Sequence, residues 1–149
     1  MRRMSIASAC VLLAGLAGSY LTGSANPKNT KAQEPVAEAP IPAADAAKTN
    51  PVKPSPEGIA AAKKLYGYHC AMCHGKDGDG KGDLATEMKL PLKDWRDPSA
   101  LAKMTDGELF YIITNGRGKM VGGEGDRTKE EVRWNLVNYV RMYAKKPGE

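Results

Sequence analysis

Apolar residues in the second half of the chain recur at helical spacing. Ile59, Ala62, Leu65 and Tyr66 share one stripe, and Val132, Leu136, Tyr139, Val140 and Tyr143 share another, so each predicts an amphipathic helix with one face turned to a core. Ser55-Pro56-Glu57 supplies an N-cap, a proline at the first helical position and an acid in the first turn, which starts the first helix and runs it toward Cys70. Gly75, Gly78, Gly80 and Gly82 then open a loop. Asp97-Pro98 predicts a short helix through Met104. Thr105-x-x-Glu108 and Thr128-x-x-Glu131 both read as capping boxes. The first predicts a helix through about Thr114 that stops at Asn115-Gly116, and the second opens the final helix. No segment alternates apolar and polar residues as a half-buried strand would. The predicted domain is all-α and spans 56–146.

The N-terminal part follows other rules. Met1-Arg2-Arg3 precedes an uncharged run from Met4 to Ala25, with its apolar weight between Ile6 and Leu21 and small residues at Gly23, Ser24 and Ala25. A basic start, an apolar core and a small-residue end read as an export signal, with cleavage after Ala25. Residues 4–25 are longer than an ordinary signal core, which keeps open their retention as an N-terminal membrane anchor. Cys10 belongs to the apolar core, and Arg2-Arg3 reads as an ordinary basic start. Residues 26–55 hold Pro27, Pro35, Pro40, Pro42, Pro51 and Pro54 and no aromatic residue, the composition of a disordered linker. The protein is therefore expected outside the cytoplasm, in the periplasm or an equivalent compartment, free or tethered.

Composition adds two constraints. The domain contains a single Phe, and a chain this short commonly needs a metal, disulfide or cofactor to supplement its core. The net charge is +5, but acids and bases are interspersed and no dense Lys/Arg block points to nucleic acid. Lys63, Lys64, Lys76, Lys81 and Lys119 lie near the chemistry-bearing segments in sequence. They form either a positive rim for redox partners with acidic docking surfaces or a solvated face.

That chemistry centres on Cys70-Ala71-Met72-Cys73-His74. A C-x-x-C-H run in an exported chain reads as a c-type haem attachment site. On a helix its sulfurs and imidazole leave from one face, so Cys70 and Cys73 can bind the porphyrin edge while His74 reaches the iron. A zinc site would need a second ligand pair, and the other Cys and His are Cys10 and His69. A thioredoxin-like dithiol would need a strand context that is missing. With both cysteines committed, the haem rather than a disulfide staples the domain. The sixth iron position has Met88, Met104, Met120, Met142 and His69 as candidates. His69 adjoins Cys70 and cannot fold back to the opposite haem face, while Met104 and Met142 sit where core packing is expected. Met120 lies in the glycine-rich run Asn115 to Gly123 and has no helix face to pack, which favours it as the ligand, with Met88 the runner-up.

Taken together, these residues resemble the class I cytochrome c family, in particular its small bacterial monohaem members, over about Gly58 to Ala144. The likeness rests on Lys63-Lys64-Leu65-Tyr66, Cys70 to Gly75, Asn115 to Met120, and Trp134 to Arg141. The resemblance implies a cytochrome c-like fold of about four helices around one covalently attached haem c. In that fold the first and last helices cross, and the haem lies between the attachment segment and the methionine loop. Tyr66 and Tyr139 match the aromatic positions at the crossing, and Ala62 stands where members usually have Gly, which should push the helices slightly apart. Members also often have Gly-Pro after the glycine-rich exit, its backbone carbonyl orienting the axial His, where this chain has Gly82-Asp83. They often have Pro after the ligand Met, where Val121 stands. The function expected is a one-electron carrier with His74 and Met120 as axial iron ligands and no enzyme activity. A fixed electron-transfer subunit of a membrane redox complex is the main alternative, and a five-coordinate haem enzyme or gas sensor a more distant one.

Overall fold

The computed structural model describes residues 38–144. The proposed signal or anchor over 1–25, and the linker as far as residue 37, lie outside the described residues. Among the described residues no helix is long and apolar enough to cross a membrane.

The described chain forms α1 (Ala43–Ala46), α2 (Pro56–His69), α3 (Ala71–His74), α4 (Asp83–Glu87), α5 (Asp106–Asn115), β1 (Gly116–Arg117), β2 (Met120–Val121), α6 (Glu124–Arg127) and α7 (Glu130–Tyr143). It is an all-α, cytochrome c-like domain with one short antiparallel hairpin, in which Gly116 faces Val121 and Arg117 faces Met120. The hairpin is a departure from the strandless expectation. Its cause is local: Gly116 and Gly118 take positive φ of 78° and 58°, backbone that glycine alone adopts freely.

The framework is the packing of α2 on α7. Ser55 caps α2 by accepting from the Gly58 N–H at 3.0 Å. The apolar faces then bury Ala62 and Tyr66 from α2 against Leu136, Val137, Tyr139, Val140 and Tyr143 from α7. Tyr66 meets Tyr139 edge-on at 5.4 Å between ring centroids. Ala62 is fully buried, and a close approach lies one turn earlier. A Cβ on Gly58 would fall 2.7 Å from the Asn135 side chain. From α5, Phe110 stacks on Trp134 at 3.9 Å, and the Arg133 guanidinium lies over the Phe110 ring.

Three other expectations are corrected. Residues 97–104 form successive turns rather than a helix, with i to i+3 bonds such as Ala100 N–H to Asp97 O at 3.0 Å and Met104 N–H to Leu101 O at 3.1 Å. Arg141 holds them open by donating to Leu101 O at 2.8 Å and to Met104 O, while also pairing with Asp106 at 2.9 Å. Thr105 and Glu108 do form a capping box, whereas Thr128 does not. Its hydroxyl donates backwards to Glu124 Oε2 at 2.8 Å, and the N-cap of α7 is Lys129, which makes no side-chain cap bond. The stretch from Glu38 to Ser55 is also no disordered linker. Asn50 donates to Trp134 O at 3.2 Å and to Asn138 Oδ1 at 2.9 Å, and Asn138 donates to Val52 O at 3.0 Å. Thr105 donates to Ala46 O at 2.6 Å, and Glu38 pairs with Arg117 at 2.9 Å. Polar side chains fasten most of this strap, with Val52 alone packing on the core, so a count of its apolar residues does not reveal it.

Candidate haem-binding site

Cys70 is both the C-cap of α2 and the N-cap of α3. Its N–H donates to Tyr66 O at 2.9 Å, and its carbonyl accepts from Cys73 N–H at 3.1 Å and His74 N–H at 2.9 Å. That double role sets both thiols and the imidazole on one short run of backbone, and both cysteines carry free thiols. Gly75, at φ 76°, turns the chain out of α3. The following loop then folds back beneath it, with Gly80 N–H on His74 O at 2.9 Å and Gly82 N–H on Cys73 O at 3.1 Å. Gly82 lies so close that a Cβ there would strike the Met72 carbonyl. The glycine-rich exit is thus a cap for the carbonyls of α3, which a bulkier sequence could not form.

Aromatic residues brace this segment from behind. The Tyr66 hydroxyl donates to Gly75 O at 2.7 Å and the Tyr143 hydroxyl to Lys76 O at 3.0 Å. Burial raises the pKa of both phenols well above the ordinary range. Trp95 stacks on the His74 ring with centroids 4.2 Å apart and planes within 20°. Burial lowers the His74 pKa to about 4, so the imidazole is neutral and its nitrogen lone pair is free for a metal. Burial, with Glu124 and Cys73 adding to it, pushes the Cys70 thiol up to about 12. His74 Nδ1 is buried without a hydrogen-bond partner. Two unpaired thiols beside a neutral, half-buried imidazole are the donor set a covalently attached haem uses, and the residues fit that group. Among the described residues no cluster of three or more His, Cys, Asp or Glu offers a different metal site.

Met120 stands apart from these three residues. It is half-buried in β2, opposite Arg117. What ties its loop to the attachment segment is a contact just beyond it, His69 Nδ1 to Glu124 Oε1 at 2.6 Å. His69 is therefore occupied by Glu124. Met88 caps the end of α4 and is 52% exposed, while Met104 and Met142 pack against the core. The five rim lysines are all exposed. Asp77, Asp79 and Asp83 alternate with Lys76 and Lys81, so that part of the rim is mixed in charge. Sequence reasoning missed Trp95, the His69–Glu124 contact and the strap. The departure at Gly82-Asp83 was the one signal that the surroundings of His74 differ.

Comparison with known proteins follows the same segment. Residues 57–140 match the family model described as cytochrome c oxidase, cbb3-type, subunit III. Among solved structures, the c-type cytochrome KustC0563 is 30% identical over 55% of this chain and 95% of its own, with a TM-score of 0.48. The reducing HAO-like protein complex Kustc0457/Kustc0458 of Kuenenia stuttgartiensis is 26% identical, with a TM-score of 0.51. That match covers 62% of this chain and 46% of the other, so this chain spans less than half of that neighbour's length.

Proposed function

The chain belongs to the cytochrome c oxidase, cbb3-type, subunit III family and is a class I c-type cytochrome, and from that premise we propose that it is an extracytoplasmic one-electron carrier with a single haem. Membership brings covalently bound haem c and haem-based electron transfer. In this reading Cys70 and Cys73 attach the haem, and His74 and Met120 are the axial ligands. The observation that carries it is the neutral, half-buried His74 imidazole beside two free thiols, one at the N-cap of α3 and one within it.

When bound, the haem supplies an iron that cycles between ferrous and ferric states. The protein's own part is to hold the imidazole neutral and fixed, to present a thioether from the hairpin, and to shield the imidazole with Trp95, itself packed against Tyr66 and Tyr143. A thioether and an imidazole favour ferrous iron over ligand sets of two nitrogens, so the reduction potential is expected to be high for a c-type centre. Were His74 and Met120 both to hold the iron, no position would be left for a substrate, which would separate a carrier from a five-coordinate enzyme or gas sensor.

A fixed electron-transfer subunit is the second reading. Its support is the match to a family of oxidase subunits and to a member of a redox complex. Both readings call for redox partner proteins and place the domain outside the cytoplasm, released by cleavage after Ala25 or tethered through residues 4–25. Intact mass of protein from the native host separates the two forms, since a tethered chain keeps Arg2 and Arg3.

The ligand assignment is tested by Met120→Ala. The variant should lose the sulfur-to-iron charge-transfer band of the ferric protein and bind exogenous imidazole or carbon monoxide, while Met88→Ala keeps the band. The reverse pattern assigns Met88, and a wild type that already binds carbon monoxide freely speaks for the five-coordinate alternative.

A further inference from the structure

We propose that Trp95 is a positioning residue that holds the His74 imidazole by stacking, in place of a hydrogen bond at Nδ1. The inference rests on the reading of His74 as an iron ligand.

Two independent observations carry it. The rings of Trp95 and His74 overlap at 4.2 Å and 20°, and His74 Nδ1 is buried with no acceptor in reach. At Gly82-Asp83, where the resemblance has Gly-Pro, the first carbonyl is engaged elsewhere. Gly82 O accepts from Thr86 N–H at 2.9 Å and from the Thr86 hydroxyl at 3.0 Å, which commits it to the start of α4. Trp95 in turn cannot drift. Its backbone N–H donates to Gly78 O at 2.7 Å, and its ring centroid lies 6.5 Å from that of Tyr66 and 6.4 Å from that of Tyr143. A stacked imidazole turns about its Cβ–Cγ bond only by breaking the overlap, so the π contact fixes the ring plane.

The electronic consequence differs from that of a hydrogen bond. A ligating imidazole whose second nitrogen donates to a carbonyl or carboxylate becomes a more basic ligand. Without that acceptor His74 gives less electron density to iron, which disfavours the ferric state and raises the potential. Opening the stack would let the ring turn or admit water to Nδ1, supplying the missing acceptor and reversing the effect.

The test uses the haem-loaded protein with Trp95→Leu and Trp95→Phe. Leucine fills volume without a π face, whereas phenylalanine keeps one. The leucine variant should remain low-spin but show a lower midpoint potential and shifted g values in the ferric electron paramagnetic resonance spectrum. The phenylalanine variant should stay near wild type. Nitrogen-15 NMR of the ferrous wild type should show the His74 Nδ1–H in the position typical of an N–H with no strong acceptor, and this measurement decides alone if the leucine variant does not assemble. A leucine variant with unchanged potential and g values overturns the inference, as does an Nδ1–H with the shift of a strong hydrogen bond. A wild type without covalent low-spin haem overturns the carrier reading on which the inference rests.

Discussion

Gly58→Ala tests the frame on which the site is hung. In an ordinary helix the change is favourable, because alanine exceeds glycine in helix propensity by up to about 1 kcal/mol, and by less in a first turn. Here the added methyl would sit 2.7 Å from both Asn135 Oδ1 and Nδ2 and 2.8 Å from Cγ. Carbon contacts are comfortable at about 3.5–4 Å, so something must yield by most of an ångström. Asn135 is 4% exposed and has little room to retreat, which puts the change among overpacking substitutions that cost about 1–3 kcal/mol. The clash outweighs the propensity gain, and the net loss is about 1–2 kcal/mol. For a domain of this size that lowers the melting temperature by roughly 5–15 °C. Far-UV circular dichroism of the haem-loaded protein in guanidinium measures it. Adding Asn135→Ala should restore most of the loss, since it removes the obstruction together with an Oδ1 that has no hydrogen-bond partner, giving a coupling of about 1 kcal/mol. Gly58→Ala as stable as wild type, or two additive changes, would refute the close approach of α2 and α7 at this point.

Asn50→Ala should cost about 1–2 kcal/mol by cutting the strap from α7, read from the denaturation midpoint, and a midpoint unchanged within error would return this stretch to the status of a linker. Glu124→Gln should loosen the Met120 loop by weakening the contact to His69. For a partly exposed pair worth at most about 1 kcal/mol, exogenous imidazole should bind the ferric protein roughly two- to fivefold more tightly, and unchanged affinity would disconnect Glu124 from the loop. Cys70→Ser with Cys73→Ser should give protein without covalent haem, by pyridine haemochrome assay, and without a cooperative unfolding transition. A haem-free variant that still melts sharply near the wild-type midpoint would show that the cofactor is not part of the core.

Whether a feature of this fold could be read from sequence depended on the distance over which its hydrogen bonds run. Ser55 and the Thr105–Glu108 box were legible because donor and acceptor lie three residues apart. Thr128 carries the same pattern, yet its hydroxyl has a nearer competitor in Glu124, one turn behind. The pattern names a possible pair but not the rival. Residues 97–104 carry a proline start signal, but their carbonyls are collected by Arg141, 40 residues from Leu101. Nothing within a helical window reports a guanidinium arriving from the last helix. The strap escaped for the same reason: Asn50 reaches Trp134 and Asn138 across more than eighty positions.

The site divides along the same line. Covalent attachment and one axial ligand need residues within five consecutive positions, so Cys70, Cys73 and His74 stood out as a group, whereas Met120 rested on an argument about what else a methionine in a glycine-rich loop could do. Trp95 offered no pattern at all, being an isolated aromatic residue in a segment of turns. What the sequence did show was an omission, Gly82-Asp83 where a Gly-Pro is usual. In the structure that omission has a specific form, because Asp83 begins a helix and the Gly82 carbonyl is drawn into it. A proline could stand at that helix start as well, so the commitment of the carbonyl follows from α4 itself rather than from the missing ring. Changing Asp83 to Pro alone should therefore leave the His74 Nδ1–H without an acceptor.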